Sequence, residues 1–181
     1  LTSTGSKNYG LYSAGTVINN ANINYGSGVG NVGIYSINGG TASNSGGASI
    51  TVGASSVGNP NPSDNYYAIG MAAGYYGDAS SLAYTGNILN SGTINVTGEN
   101  SIGMYGTESG TTVTNNGVIN LSASNTVGMY LDNGAYGINN GTIQSNGSGL
   151  KRVIGVVVKN GSTIENNGTI QINAEEAVGL A

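Results

Sequence analysis

The chain has 181 residues with no cysteine, histidine, tryptophan or phenylalanine, and only twelve charged side chains giving a net charge of −4. Those absences exclude a Cys or His metal site, a disulfide scaffold, a Ser-His-Asp triad and a catalytic thiol. Four basic residues are too few for the positive surface of a nucleic-acid binder, and the longest apolar stretches, such as Val153 to Val158, fall far short of the roughly 20 residues of a membrane helix.

Gly, Asn, Ser and Thr make up 97 residues, a composition that on its own suits a disordered chain. The aliphatic residues, however, return at regular intervals. In chain order, an aliphatic-Gly-aliphatic-Tyr phrase is seen at Val32-Gly33-Ile34-Tyr35, Ile102-Gly103-Met104-Tyr105 and Val127-Gly128-Met129-Tyr130. Weaker copies start at Tyr9, Ile69 and Ile154, and a last one is Val178-Gly179-Leu180. Between them falls Asn-x-Gly-x-Ile: Asn90 to Ile94, Asn115 to Ile119, Asn139 to Ile143 and Asn166 to Ile170, with degenerate versions at Asn19 to Ile23 and around Ala48 to Ile50.

From Gly103 the first phrase returns after 25, 27 and 24 residues. Short β-prone segments separated by Asn/Gly turns, with a period in the twenties, predict a parallel β-helix. Leucine-rich repeats share the period but require a Leu-x-x-Leu-x-Leu pattern that is missing. One coil cannot bury its own apolar face; coils stacked about 4.8 Å apart can. The fold class expected is therefore all-β: a single-stranded parallel β-helix (β-solenoid) of about six to seven coils, forming a rod of roughly 30 Å. Right-handedness follows the general preference for right-handed crossovers between parallel strands. Ile23, Ile50, Ile94, Ile119, Ile143 and Ile170 should form one interior ladder. Asn90, Asn115, Asn139 and Asn166 should form an amide ladder at a corner, and the glycines of the first phrase should let the backbone turn sharply. Neither end carries an atypical polar cap, so residues 1–181 read as one β-helix segment cut from a longer protein.

Two inserts interrupt the repeat, at 53–67 and 74–87, flanking the third coil. The first holds both prolines, Pro60 and Pro62, and five of the twelve tyrosines fall between positions 66 and 84. Loops that leave a solenoid commonly carry binding, and tyrosine presents a flat amphipathic face to sugars or partner pockets. The candidate ligand contacts are Asp64, Tyr66, Tyr67, Tyr75, Tyr76, Asp78 and Tyr84. The commoner outcome for such tyrosines is to pack on one another and hold a long loop down.

Other signals are weak. Gly28-Val29-Gly30-Asn31-Val32-Gly33 matches a dinucleotide fingerprint, but a strand phrase follows where a helix is needed. The Asn-x-Ser/Thr sequons are by-products of the repeat, and Asn140 and Asn167 are expected inside the stacked corner. The eight acids are scattered rather than paired, and no calcium repeat is present, so no catalytic, metal or cofactor residue is assigned.

The alternation of Ile102-Gly103-Met104-Tyr105 with Asn139-Asn140-Gly141-Thr142-Ile143 resembles the passenger regions of type V autotransporters, specifically the very large fusobacterial outer-membrane adhesins, over Tyr9 to Leu180. The resemblance implies a right-handed β-helix on the bacterial cell surface, anchored in the outer membrane by a C-terminal β-barrel elsewhere in the parent. It further implies a monomer that attaches to glycans or proteins of host cells or other bacteria, without catalysis or cofactor. A cysteine-free chain suits passage through a narrow pore, and near-neighbour contacts suit folding coil by coil as the chain emerges. A pure spacer with no ligand of its own is the second expectation, and a fragment of a carbohydrate-active β-helix enzyme the third.

Overall fold

The structure is a computed structural model and describes residues 1–75 and 84–181. Its strands run β1 Tyr9–Ser13, β2 Thr16–Asn19, β3 Ile23–Tyr25, β4 Val32–Ser36, β5 Gly40–Asn44, β6 Ser49–Val52, β7 Ile69–Ala73, β8 Gly86–Asn90, β9 Thr93–Val96 and β10 Ile102–Thr107. The series continues with β11 Thr112–Asn115, β12 Val118–Leu121, β13 Val127–Asp132, β14 Tyr136–Asn139, β15 Thr142–Ser145, β16 Ile154–Val158, β17 Thr163–Asn166, β18 Thr169–Gln171 and β19 Val178–Leu180. Every third strand pairs in parallel. The first sheet is β1-β4-β7-β10-β13-β16-β19, the second stacks β2 to β17 and the third stacks β3 to β18. Six coils of three strands and the opening strand of a seventh therefore make the expected β-solenoid. Among the described residues the one helical element is a single 3-10 turn, Pro62–Asp64, in the first insert.

Each sequence phrase has one place in the coil. The aliphatic-Gly-aliphatic-Tyr phrase is the strand of the first sheet, and its third residue points inward, giving the column Leu11, Ile34, Met71, Met104, Met129, Val156 and Leu180. Asn-x-Gly-x-Ile straddles the corner between the second and third sheets. Its isoleucines align as one ladder from Ile23 to Ile170, and all but Ile170 are buried. Neighbouring layers compensate in volume. Gly106 faces Val113, whereas one coil on Leu131 stands in the place of Gly106 and packs against Gly137. That exchange of large for small keeps the interior dense.

The asparagine ladder is longer than expected. Each Nδ2 donates to the next coil's Oδ1, from Asn19 to Asn44 (2.8 Å), Asn90 (2.9 Å), Asn115 (2.9 Å), Asn139 (2.8 Å) and Asn166 (2.7 Å). Asn19 through Asn139 are buried. Asn140 and Asn167, expected inside this corner, lie on its exposed outer side and form a second, shorter ladder with Asn116. Consecutive residues at a corner point to opposite sides, so only the first asparagine of each pair faces inward.

The glycines of the first phrase do not serve as turns. A Cβ at Gly33, Gly70, Gly103 or Gly128 would lie 2.5–2.6 Å from the carbonyl oxygen of the corresponding glycine one coil on, and would also strike an isoleucine of the third sheet. They are glycines because two backbones and a side chain converge there. Turning falls instead on a position two residues before every phrase but the Ile69 copy, which follows the first insert: Lys7, Gly30, Asn100, Asn125, Arg152 and Glu176 all have φ between 52° and 66°.

The inserts leave the coil on either side of β7. The first is drawn closed by reciprocal backbone bonds between Ser56 and Tyr66, at 2.9 and 2.8 Å. Inside it, Asn59 Nδ2 donates to the Asp64 carbonyl at 2.9 Å and the Asn59 N–H donates to Asn65 Oδ1 at 3.0 Å. The second insert, expected over 74–87, ends earlier. Gly86 and Asn87 already belong to β8, paired with Gly40 and Thr41 of β5, because the ladder of the second sheet resumes there.

Replacing Asn115 with Ala should cost about 1–3 kcal/mol, because Asn90 Nδ2 and Asn139 Oδ1 lose their partner inside a buried corner. Replacing the neighbouring exposed Asn116 should stay within about 0.5 kcal/mol. Urea unfolding of the two variants measures the difference.

Candidate functional site

The fourth residue of the first phrase points outward from the first sheet. Register makes it a ladder of Tyr12, Tyr35, Ala72, Tyr105, Tyr130 and Val157. A parallel ladder beside it holds Tyr9, Val32, Ile69, Ile102 and Val127. Tyrosine rings pack along the axis on both sides of Ala72. Tyr9 and Tyr35 stack at 5.9 Å, Tyr12 meets Tyr35 edge-on at 5.5 Å, and Tyr105 and Tyr130 lie 5.9 Å apart. At Ala72 the run of rings is interrupted, on the one strand that both inserts flank.

The interruption opens a groove of about 420 Å³. Tyr35 and Tyr105 stand at its two ends along the axis, Ala72 and Ile69 lie on its floor, and Tyr66, Tyr67 and Tyr75 of the inserts form its sides. A second hollow of about 400 Å³ adjoins it, sharing Tyr67, Ile69 and Tyr105 and reaching Tyr130 and Asp132. Among the described residues, no charged side chain lines the larger hollow, and Asp132 is the one that lines the smaller. Asp132 Oδ1 accepts the Asn133 N–H at 2.9 Å and Asn160 Nδ2 at 2.7 Å, which fixes the carboxylate against the wall.

The sequence-predicted contacts separate into distinct roles. Tyr67 and Tyr75 are 51% and 52% exposed and face the groove. Tyr66 also lines it but is held from behind. Its Cβ sits over Gly30, where another Cβ has no room, and Lys7 Nζ lies 3.7 Å from the centre of its ring. Tyr84 is turned to the neck of the second insert, where its carbonyl accepts the Tyr75 N–H at 2.8 Å and the two rings meet edge-on at 5.5 Å. Asp64 is exposed and lies apart from the groove. Tyr76 and Asp78 fall outside the described residues. Tyrosines thus both hold the loops down and wall a hollow. The residues not singled out from the sequence are Tyr35, Tyr105, Tyr130, Ala72 and Asp132. Their signal was the phrase itself, in which Ile69-Gly70-Met71-Ala72 has alanine where other copies have tyrosine.

Tyr35 ties this surface to the second insert, its hydroxyl donating to the Gly74 carbonyl at 3.0 Å. Gly74 has φ of 79° and a Cβ there would meet the Thr107 backbone, so the chain can leave the sheet at this point only as glycine. Burial, followed by the neighbouring Tyr12 and Tyr9, pushes the Tyr35 phenol well above its ordinary value, and burial raises Tyr105. Three further acids, Glu165, Glu175 and Glu176, lie on the exposed surface of the last coils. Glu165 accepts from the Tyr136 hydroxyl at 2.6 Å and is held below the usual carboxylate range by that bond and by Asn167. Glu175 and Glu176 pair with Lys151 and Arg152 at 2.8 and 3.3 Å in an exposed turn.

Because Tyr35 holds its proton more tightly folded than unfolded, its contribution is complete below the unfolded value of 10.0 and is lost as pH rises beyond it. Stability should therefore decline from about pH 10 upward, and Tyr35→Phe should flatten part of that decline while costing about 1 kcal/mol at neutral pH for the lost bond to Gly74. Denaturant titrations at neutral and alkaline pH read both effects.

No curated protein and no solved structure matches the chain. A family model described as the BigA third pectate lyase-like domain matches residues 2–140. The match runs from the first coil into the fifth and takes in both inserts, and the three-strand coils continue beyond it to β19. With three quarters of its length and its whole groove inside that match, the chain belongs to the family of the BigA third pectate lyase-like domain.

Proposed function

We propose that the chain is a non-enzymatic segment of a bacterial cell-surface adhesin, a β-helical stalk of an autotransporter passenger whose groove and inserts attach to a glycan or protein of host cells or other bacteria. The observation that carries this reading is the tyrosine-walled groove at Ala72, open to solvent and flanked by both inserts. A hollow with apolar walls and few polar groups is the usual form of a binding site, and rigid aromatic rings give contact area at little entropic cost. The adhesin-like character of BigA, for which the family is named, supports display at the cell surface. Attachment is favoured over catalysis by the acids. Cleaving a glycan takes a pair of carboxylates or a carboxylate with a base across the substrate, whereas among the described residues no acid lines the groove and Asp132 alone, tied to Asn133 and Asn160, lines the hollow beside it.

The spacer reading draws its support from the third sheet, whose outer face carries a ladder of stacked Asn, Thr and Gln from Asn24 to Gln171. One substitution separates the two. Ala72→Tyr completes the tyrosine ladder and fills the groove while following the register of every neighbouring coil. In a binding assay on host cells and partner bacteria, it should weaken attachment roughly tenfold or more, with an unchanged β-rich circular dichroism spectrum. Replacing 58–67 with a short Gly/Ser turn should do the same by removing Tyr66 and Tyr67. Binding that survives both changes would move the site to another face, and absence of binding by the unaltered chain would leave the spacer.

A further inference from the structure

The repeat phrase brings seven Asn-Gly pairs into the chain, at Asn38, Asn116, Asn133, Asn140, Asn146, Asn160 and Asn167. Asn-Gly is the dipeptide most open to spontaneous deamidation. The glycine amide nitrogen, after losing its proton, attacks the asparagine Cγ; a C–N bond forms and Nδ2 leaves as ammonia. Water then opens the resulting cyclic imide at either carbonyl to give aspartate or isoaspartate, with no change of oxidation state. Two conditions must be met: the glycine N–H must be free to react, and the asparagine backbone must allow that nitrogen to swing towards its own side chain.

The fold withholds one condition or the other at six of the seven pairs. At Asn116, Asn140 and Asn167 the glycine N–H donates into the preceding coil, Gly117 to the Asn90 carbonyl at 3.0 Å, Gly141 to Asn115 at 3.0 Å and Gly168 to Asn139 at 2.9 Å. At Asn38 the Gly39 N–H donates to Thr85 at 2.8 Å. Asn133 and Asn160 are held left-handed, with φ of 52° and 49°. Ring closure needs a strongly negative ψ, whereas ψ in the left-handed region is about +47°.

Asn146 is the exception. Its φ is outside the left-handed region, and the Gly147 N–H makes no hydrogen bond among the described residues. Asn146 is exposed and sits in the Asn146-Gly147-Ser148-Gly149 link between β15 and β16, where Gly147 and Gly149 have φ of 158° and 70°. Its Nδ2, the atom that leaves, donates to Asn120 Oδ1 at 2.9 Å on the surface.

We propose that Asn146 is a self-modification site of the folded protein, converting to aspartate and isoaspartate while the other six Asn-Gly pairs persist. Conversion adds one negative charge beside the Asn95-Asn120-Gln144 ladder and removes the donor to Asn120. The isoaspartate form also lengthens the main chain between two coils by one methylene.

Ageing the folded protein at mildly alkaline pH and mapping its peptides by mass spectrometry tests the assignment. The expected result is a one-dalton gain at Asn146, accumulating at least roughly tenfold faster than at any other pair. The unfolded chain in denaturant should convert all seven at similar rates, because every one is followed by glycine. Earlier conversion at Asn133 or Asn160 in the folded protein, or the same preference for Asn146 in the unfolded chain, would overturn the proposal.

Discussion

Every coil must lie one strand spacing, about 4.8 Å, from the next, with like residues over like, and the other features of this molecule follow from meeting that distance along the whole chain. Where a backbone faces its own copy across the interior, only glycine fits, and this accounts for the invariant second position of the first phrase better than any turn does. At an inward-facing polar position, a residue must bond to itself. Asparagine carries both a donor and an acceptor on one planar group, so each copy accepts from one neighbour and gives to the other without a remainder. Inward apolar positions impose no such complementarity, which is why Ile, Met, Leu and Val exchange freely in the column of the first sheet while the Asn column admits no substitute.

The same rule gives the groove its origin. A ladder of tyrosines on an outer face is self-complementary, each ring covering the next, and offers a visitor little beyond its edges. Omitting one ring leaves two rings without the neighbour they would otherwise pack against and opens space between them. Placing alanine there cannot harm the interior, because position 72 belongs to the outer face and Met71 keeps the core column filled. Excursions before and after β7 then raise walls around the gap at no cost to register, since β8 and β9 rejoin their ladders directly. Recognition can thus be built by subtraction from a repeat, with the scaffold untouched.

The repeating parts of the fold were legible because periodicity encodes them. Both phrases, the isoleucine ladder, the buried asparagines and the two interruptions could be read from residue order alone. What escaped reading lay in how adjacent coils meet. Asn44 has its next isoleucine two positions too late, at Ile50, and Asn19 has alanine where the phrase has glycine, so the amide ladder through both is fixed by strand pairing. Left-handed turning at Lys7, Arg152 and Glu176 falls on residues with no marked preference for it, chosen by coil geometry over local propensity. Asn140 and Asn167 share the phrase of their buried neighbours, and a one-residue step decides which side of the corner they occupy. At the candidate site the inserts were visible and the groove was not, because a hollow made by a missing side chain shows in sequence only after the ladder it interrupts has been recognised.

Stacking also explains why so few residues are charged. A charged residue repeated along a ladder would face its own kind one coil away, and two like charges about 4 Å apart repel by about 1 kcal/mol even in water. The outward ladder of the third sheet accordingly runs through Asn24, Thr51, Asn95, Asn120, Gln144 and Gln171, neutral side chains that bond to one another at Asn95, Asn120 and Gln144. Charge enters where consecutive coils offer opposite signs, as Lys151 over Glu175 and Arg152 over Glu176. Arg152 lies between Glu176 on one side and Asn125 on the other, at 3.3 and 2.7 Å, so the run of left-handed corners passes from amide to cation to anion without placing like charges together. A low-charge, asparagine-rich composition is therefore what in-register stacking selects, and it leaves the groove at Ala72 to be defined by shape and aromatic surface more than by field.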